Sequence, residues 1–184
     1  MLKEYATILL EEVDSALILK LNRPEKLNAF NMQMLDEMLD VIDYVNTNDN
    51  IKSLIITGSG KAFCAGADLS LGEKTFNKNF DTNAKYESDF MRDAGGILNL
   101  KIYNSLKPVI AACNGDAVGI GATMQLPADV RIASKNSRFG FVFAKRGIVP
   151  DGCASWFLPK IIGIPMALEL CYSGKIINSA EAHR

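Results

Sequence analysis

The sequence has almost no histidine: His183, next to the C-terminal residue, is the only one. A Ser-His-Asp or Cys-His site would depend on that single residue, so such a site is not expected. Cysteine is scarce and scattered. Cys64, Cys113, Cys153 and Cys171 are far apart and form no CxxC pair, which argues against a disulfide framework or a zinc site. Each sits among apolar or small residues, where a reduced, buried thiol is the usual case, so a reducing cytoplasm is the expected location. No run of ~18 or more apolar residues is present, so no membrane span is expected. The start, Met-Leu-Lys-Glu-Tyr, has charges and no apolar run, so no signal peptide is visible. An excess of either charge is missing too. The net charge is −1 and the pI about 5.9, so the overall balance implies neither nucleic acid nor an anionic membrane as partner.

What is present suits a globular protein. The chain has 184 residues, 48% hydrophobic and 22% charged, enough for one domain over residues 1–184 with a sizeable core. Ala6–Leu10 and Ala16–Leu21 are apolar runs separated by Glu11–Ser15, the pattern of a β-hairpin. From Asn31 to about Asn46 the period becomes helical, with Met34, Leu35, Met38, Ile42 and Val45 on one face and Asn31 as N-cap. Ser53–Thr57 and Val109–Cys113 read as short buried strands. Residues 71–84 are polar and read as an exposed loop. Tyr86–Leu106 reads as a helix weakened in its middle by Gly95-Gly96. Val130–Ala133 and Arg138–Phe141 read as strands, Ala154–Ile162 and Pro165–Ser173 as helices, and Ser179 as the N-cap of one more helix.

Two segments share a plan of strand, glycine turn, small residues and helix: Ser53–Ser70 and Val109–Gln125. Repeated units of this kind indicate an α/β domain. Small residues let the backbone approach a ligand closely, and the first N–H groups of a helix lack intrahelical partners. One such unit is more often structural. Two could aim two N–H groups at one oxygen, which is an oxyanion hole. Phosphate motifs fit poorly. Gly58-Ser-Gly-Lys61 resembles the end of a P-loop, but Ala62 stands where Ser or Thr is needed. Gly119-Ile-Gly121 opens a GxGxxG that Met124 fails to complete.

Three stretches carry a more specific signal: Leu21-Asn-Arg-Pro-Glu-Lys-Leu-Asn-Ala29, Lys61-Ala-Phe-Cys-Ala-Gly-Ala-Asp-Leu69 and Asn114-Gly-Asp-Ala-Val-Gly-Ile-Gly-Ala122. In this order and spacing they resemble the crotonase, or enoyl-CoA hydratase/isomerase, superfamily, over nearly the whole chain. The resemblance implies an α/β spiral of strand–strand–helix (ββα) units that assembles into trimers or hexamers. It implies that the Ala67 and Ile120 N–H groups hold a thioester oxygen. Ala65, Gly66, Asp68 and Leu69, with Lys26, Leu27 and Ala29, would receive the adenine portion of coenzyme A; Lys26 reads equally well as an ordinary solvated lysine. Coenzyme A would enter as part of an acyl-CoA substrate, with no prosthetic group.

The sequence departs from the family pattern in two ways. The places of the two catalytic glutamates of typical hydratases fall near Thr123 and Phe143, so two-carboxylate hydration is not expected. The family's C-terminal helices, which help to cover the site and build the trimer, have no counterpart after Arg184.

Asp151 lies in Val149-Pro-Asp-Gly-Cys153, where related isomerases place a carboxylate and related dehalogenases an aspartate nucleophile. From the residues alone, Pro-Asp-Gly is a turn. With the resemblance, Asp151 becomes a proton carrier in double-bond isomerisation or hydration of an enoyl-CoA, as in fatty-acid metabolism. The alternatives are dehalogenation or hydrolysis through an Asp151 nucleophile, and a non-catalytic CoA-binding relative. The Asp151 carboxyl is expected in an apolar setting that includes Val149 and Trp156, with a raised pKa.

Overall fold

The computed structural model describes residues 2–70, 72 and 93–184. The chain opens with the expected hairpin, β1 (Ile8–Val13) and β2 (Ala16–Leu21). β1 continues past Leu10, because Glu11 and Glu12 pair opposite Ile18 and Leu17 and the turn shrinks to Asp14-Ser15. Asp14 takes the left-handed conformation such a tight turn needs (φ 54°). β1 is the outer strand of its sheet, so charged side chains there stay in water, and Glu11 pairs with Lys20.

Helix α1 (Met32–Thr47) follows its sequence period. The Asn31 carboxamide oxygen accepts from the Met34 N–H at 2.9 Å, capping the first turn. Met34, Leu35, Met38, Val41, Ile42 and Val45 are buried against the sheet. Each fully buried side chain of this size contributes ~1.5–3 kcal/mol.

Three successive strand pairs then build two sheets. β3 (Ser53–Gly58), β5 (Val109–Cys113) and β7 (Val130–Ala133) extend the hairpin into a five-stranded sheet of order β1-β2-β3-β5-β7, parallel from β2 onward. Their partners β4 (Ala62–Cys64), β6 (Asp116–Val118) and β8 (Arg138–Gly140) form a second sheet, closed by antiparallel β9 (Ile176–Asn178). Helices α2 (Ala94–Tyr103), α3 (Ile120–Thr123) and α4 (Ala154–Ile162) follow the three pairs in turn. The result is the strand–strand–helix spiral. Helices α5 (Ile164–Ser173) and α6 (Ser179–His183) end the chain.

Several local expectations need correction. Within Ser53–Ser70 there is a second strand, β4, and no α-helix. The small residues after Asn114 likewise include a strand, β6. Helix α3 ends at Thr123 rather than Gln125, and Met124–Pro127 continue as turns. Asn178, not Ser179, caps α6, accepting from the Glu181 N–H, while the Ser179 hydroxyl donates to the Lys135 carbonyl. Asp93 caps α2, so Gly95-Gly96 sits in the first turn of that helix and not in its middle. Residues 73–84, most of the polar loop, and Tyr86–Arg92, the first part of the expected helix, lie outside the described residues. None of the four cysteines forms a disulfide, and burial pushes the Cys64 thiol up to about 11.

Candidate functional site

The first part of the site is a loop pair. Asn28 is fully buried. Its carboxamide accepts from the Arg23 N–H and donates to the Ser59 and Ala62 carbonyls at 2.9 and 2.8 Å. This fastens the segment after β2 onto the turn between β3 and β4. The Ala65 N–H donates to the Leu27 carbonyl, the Phe30 N–H to Gly66 and the Asp68 N–H to Phe30. Phe30 therefore bonds the residues on either side of Ala67. In a parallel bridge of this kind, Ala67's own N–H faces away from Phe30, and it has no hydrogen-bond partner among the described residues.

Lys26, Leu27, Ala29, Ala65, Gly66, Asp68 and Leu69 are thus brought together on one pair of loops. Leu27 and Leu69 are exposed. The Asp68 carboxylate is engaged within the protein: Arg23 donates to it at 2.6 Å and Lys26 at 3.3 Å. Mainly the Arg23 contact holds its carboxyl well below the usual carboxylate range. The Ala65 amide is also engaged, by Leu27.

The second part is the turn from β6 into α3. Gly119 takes a positive φ of 55° and donates its N–H to the Gly140 carbonyl. The next amide, Ile120 N–H, is the first of α3 and has no partner among the described residues. The two turns are packed together. A Cβ on Gly121 would lie 2.0 Å from the Cys64 carbonyl oxygen, and one on Gly66 would lie 3.4 Å from the Val118 oxygen. A side chain at Gly121 would push the Ala67 and Ile120 turns apart, and at Gly66 the positive φ of 118° would strain any other residue.

The third part is the Asp151 turn. Gly152 and Cys153 both take left-handed conformations (φ 56° and 57°) and lead into α4. A Cβ on Gly152 would lie 2.5 Å from Thr123 Oγ1, so this turn rests on α3. The buried Asn99 side chain donates to the Thr123 and Gly152 carbonyls and ties α2, α3 and the turn together. Asp151 Oδ1 is buried and has no hydrogen-bond partner among the described residues. Burial first, and the nearby Asp93 charge second, push the Asp151 carboxyl up to about 6.

The expected raised pKa is present, but its setting differs from the sequence reading. Val149 and Trp156 are 79% and 59% exposed and do not enclose the carboxyl. Trp156 instead lies under the Lys160 ammonium, 4.1 Å from its ring centre. Thr123 and Phe143 are buried and apolar or uncharged, so no carboxylate stands at either place. His183 is exposed on α6. Sequence reasoning missed Asp93 and Asn99. An Asp three residues before a glycine at the true helix start is the available signal for Asp93; nothing local marks Asn99.

The family model of enoyl-CoA hydratase/isomerase matches residues 11–184. The chain belongs to that family. It is 40% identical over 165 residues to an enoyl-CoA hydratase of Alternaria alternata, covering 90% of this chain and 53% of the relative. It is 36% identical over 173 residues to 1,2-epoxyphenylacetyl-CoA isomerase of Escherichia coli K12, covering 90% and 62%. The crystal structure of an enoyl-CoA hydratase from Bacillus anthracis superposes with a TM-score of 0.83 at 30% identity, covering 96% of this chain and 66% of that one. The chain therefore spans between about half and two thirds of the length of these family members. The family's fold is the spiral described above.

Proposed function

We propose that the protein isomerises the double bond of an enoyl-CoA thioester, with Ala67 and Ile120 N–H as the oxyanion hole and Asp151 as the proton carrier. One observation carries this reading: two amides without partners among the described residues stand on turns packed against each other, and the Asp151 turn rests on the helix that one of them begins. Two donors aimed at a thioester oxygen stabilise the enolate that forms when a neighbouring carbon loses its proton; each is worth ~2.7–4 kcal/mol in comparable sites. Asp151 takes the proton from C2 of a 3-enoyl-CoA. The electron pair spreads over the dienolate, and Asp151 returns the proton to C4, giving the 2-enoyl-CoA. One carboxylate suffices for this shuttle. A carboxyl near 6 is ionised at neutral pH yet basic enough to accept a proton.

The loop pair of Lys26, Leu27 and Ala29 with Ala65, Gly66, Asp68 and Leu69 receives the adenine end of coenzyme A. Asp68 acts there by holding Arg23 and Lys26 in place. Coenzyme A is part of the substrate, and the acyl chains are those of fatty-acid metabolism. Tyr103, Leu106, Ile164 and Tyr172 are at least 60% exposed, which supports a homo-oligomer; sedimentation tests it. The four cysteines, none of them in a disulfide, fit a reducing compartment such as the cytoplasm. No helix of the described residues is long and apolar enough to cross a membrane.

The decisive assay offers 3-enoyl- and 2-enoyl-CoA thioesters in deuterated water. Conversion of the 3-enoyl form with Asp151-dependent proton transfer is the expected result. Hydration of the 2-enoyl form without isomerisation would replace this reading by water addition. Turnover of neither, with coenzyme A still bound, would leave a binding protein.

A further inference from the structure

The glycine pair at the start of α2 is not explained by helix formation, since glycine weakens a helix. It is explained by crowding. A Cβ on Gly95 would lie 2.6 Å from Ile120 Cδ1, 3.1 Å from Asp93 Oδ1 and 3.3 Å from Gly152 Cα. A Cβ on Gly96 would lie 2.7 Å from Asp93 Oδ2. The pair therefore lets one carboxylate fit between the start of α2, the Ile120 turn and the Asp151 turn. That carboxylate is Asp93. Its Oδ1 accepts from the Gly96 N–H at 2.7 Å and from the Gly152 N–H at 3.2 Å.

We propose that Asp93 is a positioning residue for Asp151. It holds the Gly152 amide, so that the 151–152 turn stays seated on α2 and α3, and it sets a like charge near the Asp151 carboxyl. A helix cap needs only the bond to Gly96; the second bond, across 59 residues to the site turn, is the feature a cap does not require. Among the described residues, no other charge bears on Asp151. Asn99, from α2, and Thr123, from α3, face the same turn and do not titrate. Cys153, next along the chain, has its thiol toward the Gly96 carbonyl. The like charge disfavours ionised Asp151 and so strengthens it as a base. This inference rests on the assignment of Asp151 as proton carrier.

The test reads the Asp151 carboxyl directly, by carboxyl-carbon NMR titration assigned with Asp151→Asn. Asp93→Asn keeps an acceptor that caps as well as aspartate and removes only the charge. Its Asp151 midpoint is expected to fall by about half a unit to one unit, with the melting temperature little changed. The acid limb of the kcat/KM profile should move down by the same amount. Asp93→Glu, which keeps the charge, should hold the midpoint near the parent's. Asp93→Ala loses both bonds and should lower the melting temperature as well. An unchanged midpoint in Asp93→Asn overturns the proposal, as does an Asp93→Glu midpoint equal to that of Asp93→Asn. Because the NMR midpoint needs no turnover, this failure is distinct from an inactive parent, which would refute the proton-carrier reading instead.

Discussion

Asp68 stands between Arg23 and Lys26, whereas Asp151 stands at a turn within reach of another carboxylate's charge, that of Asp93. The two side chains begin with the same acidity, and the fold moves them in opposite directions. At Asp68, the ionised form is bonded by a guanidinium whose side chain is itself only 12% exposed. The carboxylate stays charged and ties two loops together. At Asp151, burial and a like charge penalise ionisation, and one oxygen is left unmatched among the described residues. The difference gives a physical basis for the roles proposed for them: the carboxylate proposed as structural has its charge matched, and the one proposed as reactive keeps an unmatched atom in a place where charge is costly.

The largest expected effect separates them by rate. Asp151→Asn should lower turnover of a 3-enoyl-CoA by ~10²–10⁴-fold, with calorimetric affinity for coenzyme A unchanged. Asp68→Asn should leave the chemical step near the parent's in single-turnover measurements. Equal losses of the chemical step in the two variants would erase the distinction.

Stability should divide them by sign. The Asp151 pKa is raised in the folded protein to about 6, above the ordinary 3.8. Its destabilising contribution is therefore absent below about pH 4, grows as pH rises and is complete above about pH 6. Asp151→Asn should stabilise the protein at pH 7 by about 1–3 kcal/mol in urea denaturation, and by little at pH 4. Asp68 is the reverse case. Its folded pKa is lowered, so its stabilisation is full above the unfolded value of ~3.9 and lost as pH falls through the folded one. Asp68→Asn should destabilise by about 1.5–3 kcal/mol at pH 7. Shifts of the same sign would refute the contrast.

Gly66→Val probes the loop pair. The positive φ of Gly66 is 118°, and a side chain there would approach Val118, so the backbone near Ala67 must move. Coenzyme A should bind about tenfold more weakly (~1.4 kcal/mol), while circular dichroism shows the fold retained. Unchanged affinity would remove this loop from the binding surface.

The smallest effect is expected at Lys26, whose side chain is 44% exposed and 3.3 Å from Asp68. Lys26→Ala should change stability by no more than ~1 kcal/mol. A larger loss would mean that Lys26, rather than Arg23, holds Asp68.

Much of this architecture is legible in the sequence alone. Helix α1 is readable because its signals are local: a capping Asn31 and apolar residues at helical spacing report on one another within a few turns. The inner strands are readable because a short apolar run between turn residues has few other outcomes. The two glycine-containing turns are visible in the sequence, because small residues let backbone meet backbone, as Gly121 meets Cys64; Ala67 and Ile120 within them are singled out by the family resemblance. Asp151 attracts notice as the single acid in an apolar stretch.

Tertiary structure decided the rest. Val149 and Trp156 are near Asp151 in sequence and lie on the surface, while Asn99 and Asp93, more than 50 residues away, bond the turn that follows it. The start of α2 depends on that same turn, because Asp93 caps the helix while bonding Gly152. Strand β9 has only three residues and forms because β8 offers it a free edge. Local order is set by neighbours along the chain, which a sequence displays. Desolvation and charge–charge interaction depend on distance in space, so the acidity of Asp151 follows from the meeting of α2, α3 and the turn before α4.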